Sequence, residues 1–113
     1  GFVVVNKPAG VPVLPMTWAE RGCVLNAVVA RFPEAAQAGH DRLEGGSVHR
    51  LDTPTSGALV YALDKQTYND FREAFRNSRV TKLYLAVVHG HFTGERLQKI
   101  YLKTIAHRPA YVE

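Results

Sequence analysis

The stretch Ala58-Leu59-Val60-Tyr61-Ala62-Leu63, closed by Asp64, limits the fold of this chain more than any other. It is too short for a typical helix and apolar at every position, so it reads as a strand. Asp64 is placed to cap a helix, because its carboxylate can accept from the first free helical N–H groups. The helix it opens puts Tyr68, Phe71 and Phe75 on one face with Ala74 beside them, and Asn77-Ser78 ends it. A strand that feeds directly into an amphipathic helix is the frame around which the rest is read.

The other segments follow from the same signals. Phe2 to Val5 reads as a short buried strand, stopped by Asn6-Lys7-Pro8-Ala9-Gly10. Val11 to Leu14 must be extended, since Pro12 and Pro15 forbid helix and restrict their predecessors. Leu25, Val28, Val29 and Phe32 fall at helical spacing and predict a helix over Val24 to Phe32, ended by Pro33. Residues 34–46 show no period and read as a loop. Val48 to Leu51 reads as extended, Leu83 to Val88 as a buried strand, and Leu97 to Ile105 as a half-exposed strand. Strands and helices alternate without a regular βαβ rhythm, which predicts an α+β fold with a mixed, largely antiparallel sheet and flanking helices.

Composition narrows the function classes. At 113 residues the chain is one domain's worth, and its 46% hydrophobic and 21% charged content is that of a globular protein. No apolar stretch is long enough to span a membrane. Cys23 is the only cysteine, which excludes an internal disulfide and a Cys-rich zinc site and fits a reducing cytoplasm. The formal net charge of +4 suits a polyanionic partner such as RNA. His89-Gly90-His91 lacks the accompanying Cys or carboxylate pattern of a metal site, and no metal or cofactor is predicted. Gly1 and Ala110-Tyr111-Val112-Glu113 read as cut ends.

The chemistry concentrates in His49-Arg50-Leu51-Asp52-Thr53-Pro54-Thr55-Ser56-Gly57. Here an extended segment delivers an aspartate to a turn rich in hydroxyls, with Arg50 and Asp52 two positions apart on one face. Pro54 stiffens the turn, and Gly57 allows close approach of backbone or ligand. An aspartate in such a turn ordinarily hydrogen-bonds its own backbone, and that reading competes with a catalytic one. Residues alone do not decide between them.

The same residues, His49-Arg50-Leu51-Asp52 and Thr55-Ser56-Gly57, resemble the signature of the RluA-type RNA pseudouridine synthases. Val5-Asn6-Lys7-Pro8-Ala9-Gly10 is similar to that family's opening strand and Lys-Pro-x-Gly turn, and Val80-Thr81-Lys82-Leu83-Tyr84 to its Lys-x-Tyr strand. The resemblance spans Val3 to Gly90, with the motifs in the family's order. It implies a pseudouridine synthase-like fold, incomplete in this sequence, with residues 1–113 as the N-terminal portion of the catalytic domain and no S4-type RNA-binding module.

The resemblance further implies cofactor-free isomerisation of uridine to pseudouridine in structured rRNA or tRNA. Asp52 falls at the position of the catalytic aspartate; whether it attacks the anomeric carbon or takes a proton from the neighbouring sugar carbon stays open. Tyr84 would stack on the uracil and assist proton removal from its carbon 5, against the plainer reading of a core tyrosine. Arg50 would support a flipped nucleotide, against the plainer reading of an ion pair with Asp52 or a surface charge. Lys82, Arg79, Thr55 and Ser56 complete the expected RNA-binding set, with Arg72 and Arg76 nearby, against the plainer reading of the basic residues as a solvated face; His49 is read as scaffold. The family's later Arg-Thr-His-Gln-type motif, which brings a basic partner for the aspartate, has no counterpart before Glu113. Three expectations follow: a piece of a complete enzyme, a short relative that binds RNA without turnover, or a chain completed by a partner or a second copy. A glycoside hydrolase needs a second carboxylate opposite Asp52, which the sequence does not place.

Overall fold

Val3 and Val5 alternate with Phe2 and Val4 along β1 (Phe2–Lys7), and this period of two decides which side chains reach a core. β1 pairs antiparallel with β2 (Gly57–Ala62), setting Val3 opposite Tyr61, Val5 opposite Leu59, and Val4 opposite Val60. The computed structural model describes residues 1–91, 93–94, 104–107 and 110–112, which fall into two units, Gly1–Lys82 and Leu83–Glu113.

In the first unit, each face of the β1–β2 pair meets different partners. Leu59 and Tyr61 are fully buried on one face, with Val3 and Val5 beside them, and pack with Val13 and with α1 (Val24–Arg31) through Val24, Leu25 and Val28. Val60 and Ala62 point the other way, into a second cluster with Val48 and with Tyr68, Phe71 and Phe75 of α3 (Lys65–Arg76). Coverage on both faces is why β2 is apolar at nearly every position. Burying one side chain such as Leu59 contributes about 1.5–3 kcal/mol. The Tyr61 hydroxyl donates to the Val13 carbonyl at 3.3 Å, and burial pushes its phenol well above the ordinary range.

β1 is a strand, as its sequence predicts, but it is not buried throughout. Phe2 and Val4 are 55% and 60% exposed, because α3 reaches only as far as an edge-on contact between Phe71 and Phe2. α1 ends at Arg31, with Phe32 as its C-cap and Pro33 following. Within 34–46, read from sequence as loop, the chain forms the short helix α2 (Ala35–Ala38), which buries Ala35 and Ala38. One helical turn is too short to show a period, although the Ala-Ala-Gln-Ala composition and the preceding Pro33 favour it.

α3 begins and ends as the sequence reads. The Asp64 carboxylate accepts from the Thr67 N–H at 2.8 Å and from the Thr67 hydroxyl at 2.9 Å. At the other end the Ser78 N–H donates to the Phe75 carbonyl and the Arg79 N–H to the Ala74 carbonyl, with Ser78 in the left-handed region at φ 54. That is a Schellman closure with serine where glycine is usual.

The second unit is described by itself. Leu83 to Val88 is not the buried strand that its composition suggests. It lies in irregular backbone with Leu83 90%, Leu85 100% and Val87 100% exposed. Among the described residues no strand pairs with it, and apolar side chains alone do not satisfy a strand's N–H and C=O groups. β3 (Thr104–His107) and β4 (Ala110–Val112) form an antiparallel pair with a register shift between Thr104 and Ala106. Of the strand expected at Leu97 to Ile105, residues 97–103 lie outside the described residues. The architecture is α+β, and every strand pairing among the described residues is antiparallel. No helix among them is long and apolar enough to cross a membrane.

Candidate active site

Asp52 sits at the start of a tight turn: its backbone carbonyl accepts from the Thr55 N–H at 3.0 Å, with Thr53 and Pro54 between. Its side chain is exposed, and no hydrogen bond or ion pair from the described residues reaches the carboxylate. The competing reading, an aspartate spent on its own turn, is therefore not what the chain does; the main-chain carbonyl closes the turn and leaves the carboxylate open to a ligand. Arg50 is also exposed and forms no ion pair with Asp52. Thr55 is half-buried and Ser56 exposed within the same loop. Gly57 follows at φ 137, a backbone state that other residues rarely adopt. A Cβ there would meet only Leu51 at an ordinary 3.8 Å, so no backbone among the described residues makes the close approach expected from sequence, and the glycine serves the conformation.

The loop is fastened after Asp52 by a residue that sequence reasoning did not single out as part of the site. Lys7, at the end of β1, is fully buried. Its ammonium donates to the carbonyls of Pro8 at 3.0 Å, Val11 at 2.7 Å and Thr53 at 2.9 Å. All three of its protons thus have acceptors, which is the condition for burying an ammonium without a carboxylate. The Thr53 carbonyl also accepts from the Gly10 N–H at 2.8 Å, and Gly10 reaches that position at φ 85. Lys7, Gly10 and the residue next to Asp52 are thereby one unit. Lysine is normally exposed, so nothing short of the structure marks Lys7 as buried.

Before Asp52 the chain is held along the outer edge of β2. The Ala62 N–H donates to the Gly46 carbonyl at 2.8 Å, and Ser47 makes an isolated antiparallel bridge to Tyr61. Gly46 permits this approach, since a Cβ there would stand 1.9 Å from the Ala62 carbonyl oxygen. The next outward N–H, that of Val60, is taken by the Nε2 of His49 at 3.1 Å. Val48 to Leu51 consequently does not continue as a strand: the His49 ring occupies the ladder position that a backbone carbonyl would fill, and the chain turns off toward Asp52. His49 is half-buried and stacks on Phe75 with ring centroids 5.0 Å apart. Burial first, and the Lys82 charge second, hold its pKa below the ordinary value.

The basic residues differ in what already occupies them. Arg79 is paired with Glu73 at 2.8 Å, both well exposed. Lys82 is exposed, with its ammonium 6.0 Å from the centre of the Phe75 ring. Arg72 leans on the Val48 carbonyl at 3.4 Å, which brings cationic groups from α3 and its exit to the segment that carries His49. Tyr84 belongs to the second unit, in irregular backbone and 62% exposed. It is not the core residue of an apolar strand. An open depression of about 430 Å³ beside the start of α3, lined by Glu34, Leu63 and Lys65 among others, shares no residue with the Asp52 loop.

Comparison with known proteins bears on the family of the chain. The family model described as RNA pseudouridylate synthase matches residues 1–112. An uncharacterized RNA pseudouridine synthase of Chloroflexus aurantiacus is 42% identical over 85 residues, 75% of this chain and 26% of that protein. Ribosomal large subunit pseudouridine synthase D of Buchnera aphidicola is 33% identical over 89 residues, 79% of this chain and 27% of that protein. A solved structure of human RNA Pseudouridylate Synthase Domain Containing 4 matches with a TM-score of 0.48 at 30% identity, covering 69% of this chain and 27% of that one. The chain belongs to the RNA pseudouridylate synthase family. Its matched region spans about a quarter of the length of these relatives.

Proposed function

We propose that the chain carries the catalytic aspartate, Asp52, of an enzyme that isomerises uridine to pseudouridine in structured RNA. The observation that carries the reading is an exposed carboxylate, free of protein partners among the described residues, on a loop fastened by Lys7 behind and His49 ahead. An exposed carboxylate is charged at neutral pH and able to act as nucleophile or base. The reaction breaks the bond between the anomeric carbon and N1 of uracil, turns the base, and forms the bond to carbon 5. Carbon 5 then gives up its proton and N1 gains one, so the product is an isomer and no cofactor is required. Asp52 serves either by attacking the anomeric carbon or by removing the proton on the neighbouring sugar carbon.

The remaining roles are those the family resemblance and charge imply, and the exposure of most of these side chains supports them. A target uridine in a stem must be extruded at a cost of a few kcal/mol. Arg50, in no ion pair among the described residues, is suited to fill the vacated space or hold a phosphate. Lys82 and Arg72 add charge along the same segment, and Arg79 joins them once its ion pair with Glu73 opens. Thr55 and Ser56 offer hydroxyls to the sugar–phosphate backbone. Tyr84, exposed as a ring, supplies a stacking surface for a base worth about 1–3 kcal/mol and a phenol for the carbon 5 proton. The substrates are ribosomal or transfer RNA, in a reducing cytoplasm, and residues 1–113 are the N-terminal portion of the catalytic domain.

The test is to incubate the chain with uridine-labelled ribosomal and transfer RNA beside an Asp52→Ala variant and to quantify pseudouridine. Conversion by the parent chain that disappears in the variant is the expected result. Conversion that survives the substitution sinks the assignment of Asp52. Retention of RNA by both chains with conversion by neither points to the rival role, RNA binding without turnover by this chain.

A further inference from the structure

The N–H groups of alternate residues in β2 face away from β1, and at that outer edge each meets a different kind of acceptor. Ala62 finds the Gly46 carbonyl at 2.8 Å, an ordinary ladder bond. Val60, two residues earlier, finds the imidazole of His49 at 3.1 Å. An N–H donor fixes the state of the ring that receives it: Nε2 must be unprotonated, so the proton of the neutral ring sits on Nδ1. The Ser47 hydroxyl donates to the His49 carbonyl at 3.0 Å, and the flat face of the ring lies on Phe75, so backbone and side chain are both held.

We propose that His49 is a positioning residue for Asp52, its Nε2 replacing a strand carbonyl at Val60 and thereby fixing where the chain leaves the sheet edge. The proposal rests on the reading of Asp52 as the reacting carboxylate for its consequence, while the ring's own bond stands apart from that reading. Only Arg50 and Leu51 separate this anchor from Asp52, and the Lys7 anchor begins at Thr53. A displacement of the His49 ring therefore has little chain over which to be absorbed before it reaches the carboxylate.

The device is acid-sensitive. A doubly protonated ring has no acceptor left for Val60. The charged groups brought near the ring by α3 and its exit are cationic, Lys82 on the Phe75 ring and Arg72 on the Val48 carbonyl, while β2 presents the Val60 N–H. The setting favours the neutral ring, with burial the larger cause and Lys82 the second. The sign follows from a folded-state pKa below the unfolded one. The anchor's contribution is full above the ordinary histidine range and is lost as pH falls through the lowered value.

Nitrogen NMR on the labelled chain tests the anchor directly. The expected result is an unprotonated Nε2 and a protonated Nδ1 at neutral pH, with the Val60 amide shifting at the same midpoint as the ring on acidification. Exchange of the Val60 amide should rise roughly fivefold to tenfold across that midpoint. His49→Phe keeps a ring for Phe75 but removes the acceptor and should produce the same loss at neutral pH; His49→Gln returns an acceptor and should recover part of it. Turnover measured beside these should fall in His49→Phe and partly recover in His49→Gln, with RNA retention unchanged. A proton on Nε2, or a Val60 amide indifferent to both titration and substitution, overturns the anchor. A coupled Val60 amide with full turnover in His49→Phe overturns the positioning role. Turnover lost in His49→Phe but kept in Asp52→Ala removes the reading of Asp52 and leaves the anchor in place.

Discussion

The runs Ala58-Leu59-Val60-Tyr61-Ala62-Leu63 and Leu83-Tyr84-Leu85-Ala86-Val87-Val88 differ in composition by one alanine exchanged for a valine. In the first, Leu59, Tyr61 and Ala62 are fully buried; in the second, Leu85 and Val87 are fully exposed. The difference lies in the backbone partners. β2 has β1 on one edge, and Gly46, Ser47 and His49 on the other, while among the described residues the second run has no strand on either side. Apolar side chains supply the driving force for burial, but a strand forms only where its N–H and C=O groups are also met. The same bonds that complete β2 also steer the chain to Asp52, so the path of the Asp52 loop is a by-product of finishing the strand's outer edge.

The heaviest blow to the partnered region is Lys7→Met. It keeps much of the side-chain volume but takes the charged donor from the carbonyls of Pro8 and Val11 and one of two donors from Thr53. Hydrogen bonds to a charged group contribute about 1.5–3 kcal/mol each, so a loss of about 4 kcal/mol is expected in denaturant unfolding. Residues 52–55 should also lose amide protection first. A variant as stable as the parent would mean that the ammonium does not hold the loop.

The two runs can be set against each other directly by truncating one leucine in each. Leu59→Ala opens a cavity in a packed cluster and should cost about 3 kcal/mol. Leu85→Ala removes a side chain that touches nothing in its own stretch and should change stability by less than about 0.5 kcal/mol. Equal costs measured by urea unfolding would show that Leu85 is covered in solution, and the contrast between the runs would vanish.

What the sequence made legible follows the same division. The α3 boundaries could be read because Asp64 caps locally and Tyr68, Phe71 and Phe75 share a helical face. The family could be read because His49 to Asp52 and Thr55 to Gly57 resemble its signature, and the chain belongs to it; the role of Asp52 is the proposal made above. Exposure in Leu83 to Val88 could not be read, since composition is silent on whether a partner strand lies alongside. His49 could be read as scaffold and Lys7 as part of a Lys-Pro-x-Gly turn, but the bonds they make could not be read. Lys7 and His49 act across 46 and 11 residues of chain, and neither spacing has a period that a sequence window detects. α2 escaped because a single turn leaves no repeat to see.

The mildest prediction concerns the exit from α3, where the partnered unit gives way to the exposed run. Ser78 holds φ 54 to let its own N–H and that of Arg79 reach the Phe75 and Ala74 carbonyls. A side chain in that conformation costs about 1 kcal/mol, which glycine avoids in the folded state while losing part of the gain to its freer unfolded chain. Ser78→Gly should therefore raise stability by about 0.5 kcal/mol, visible as a small upward shift in the unfolding midpoint. The direction carries the argument. A stabilised variant means that the closure belongs to the cooperative unit ending at Lys82, so that order extends to the boundary with the exposed run. A destabilised one means that the closure does not hold in solution, and that the last turn of α3, with Phe75 under the His49 ring, lies at the loose end of the fold.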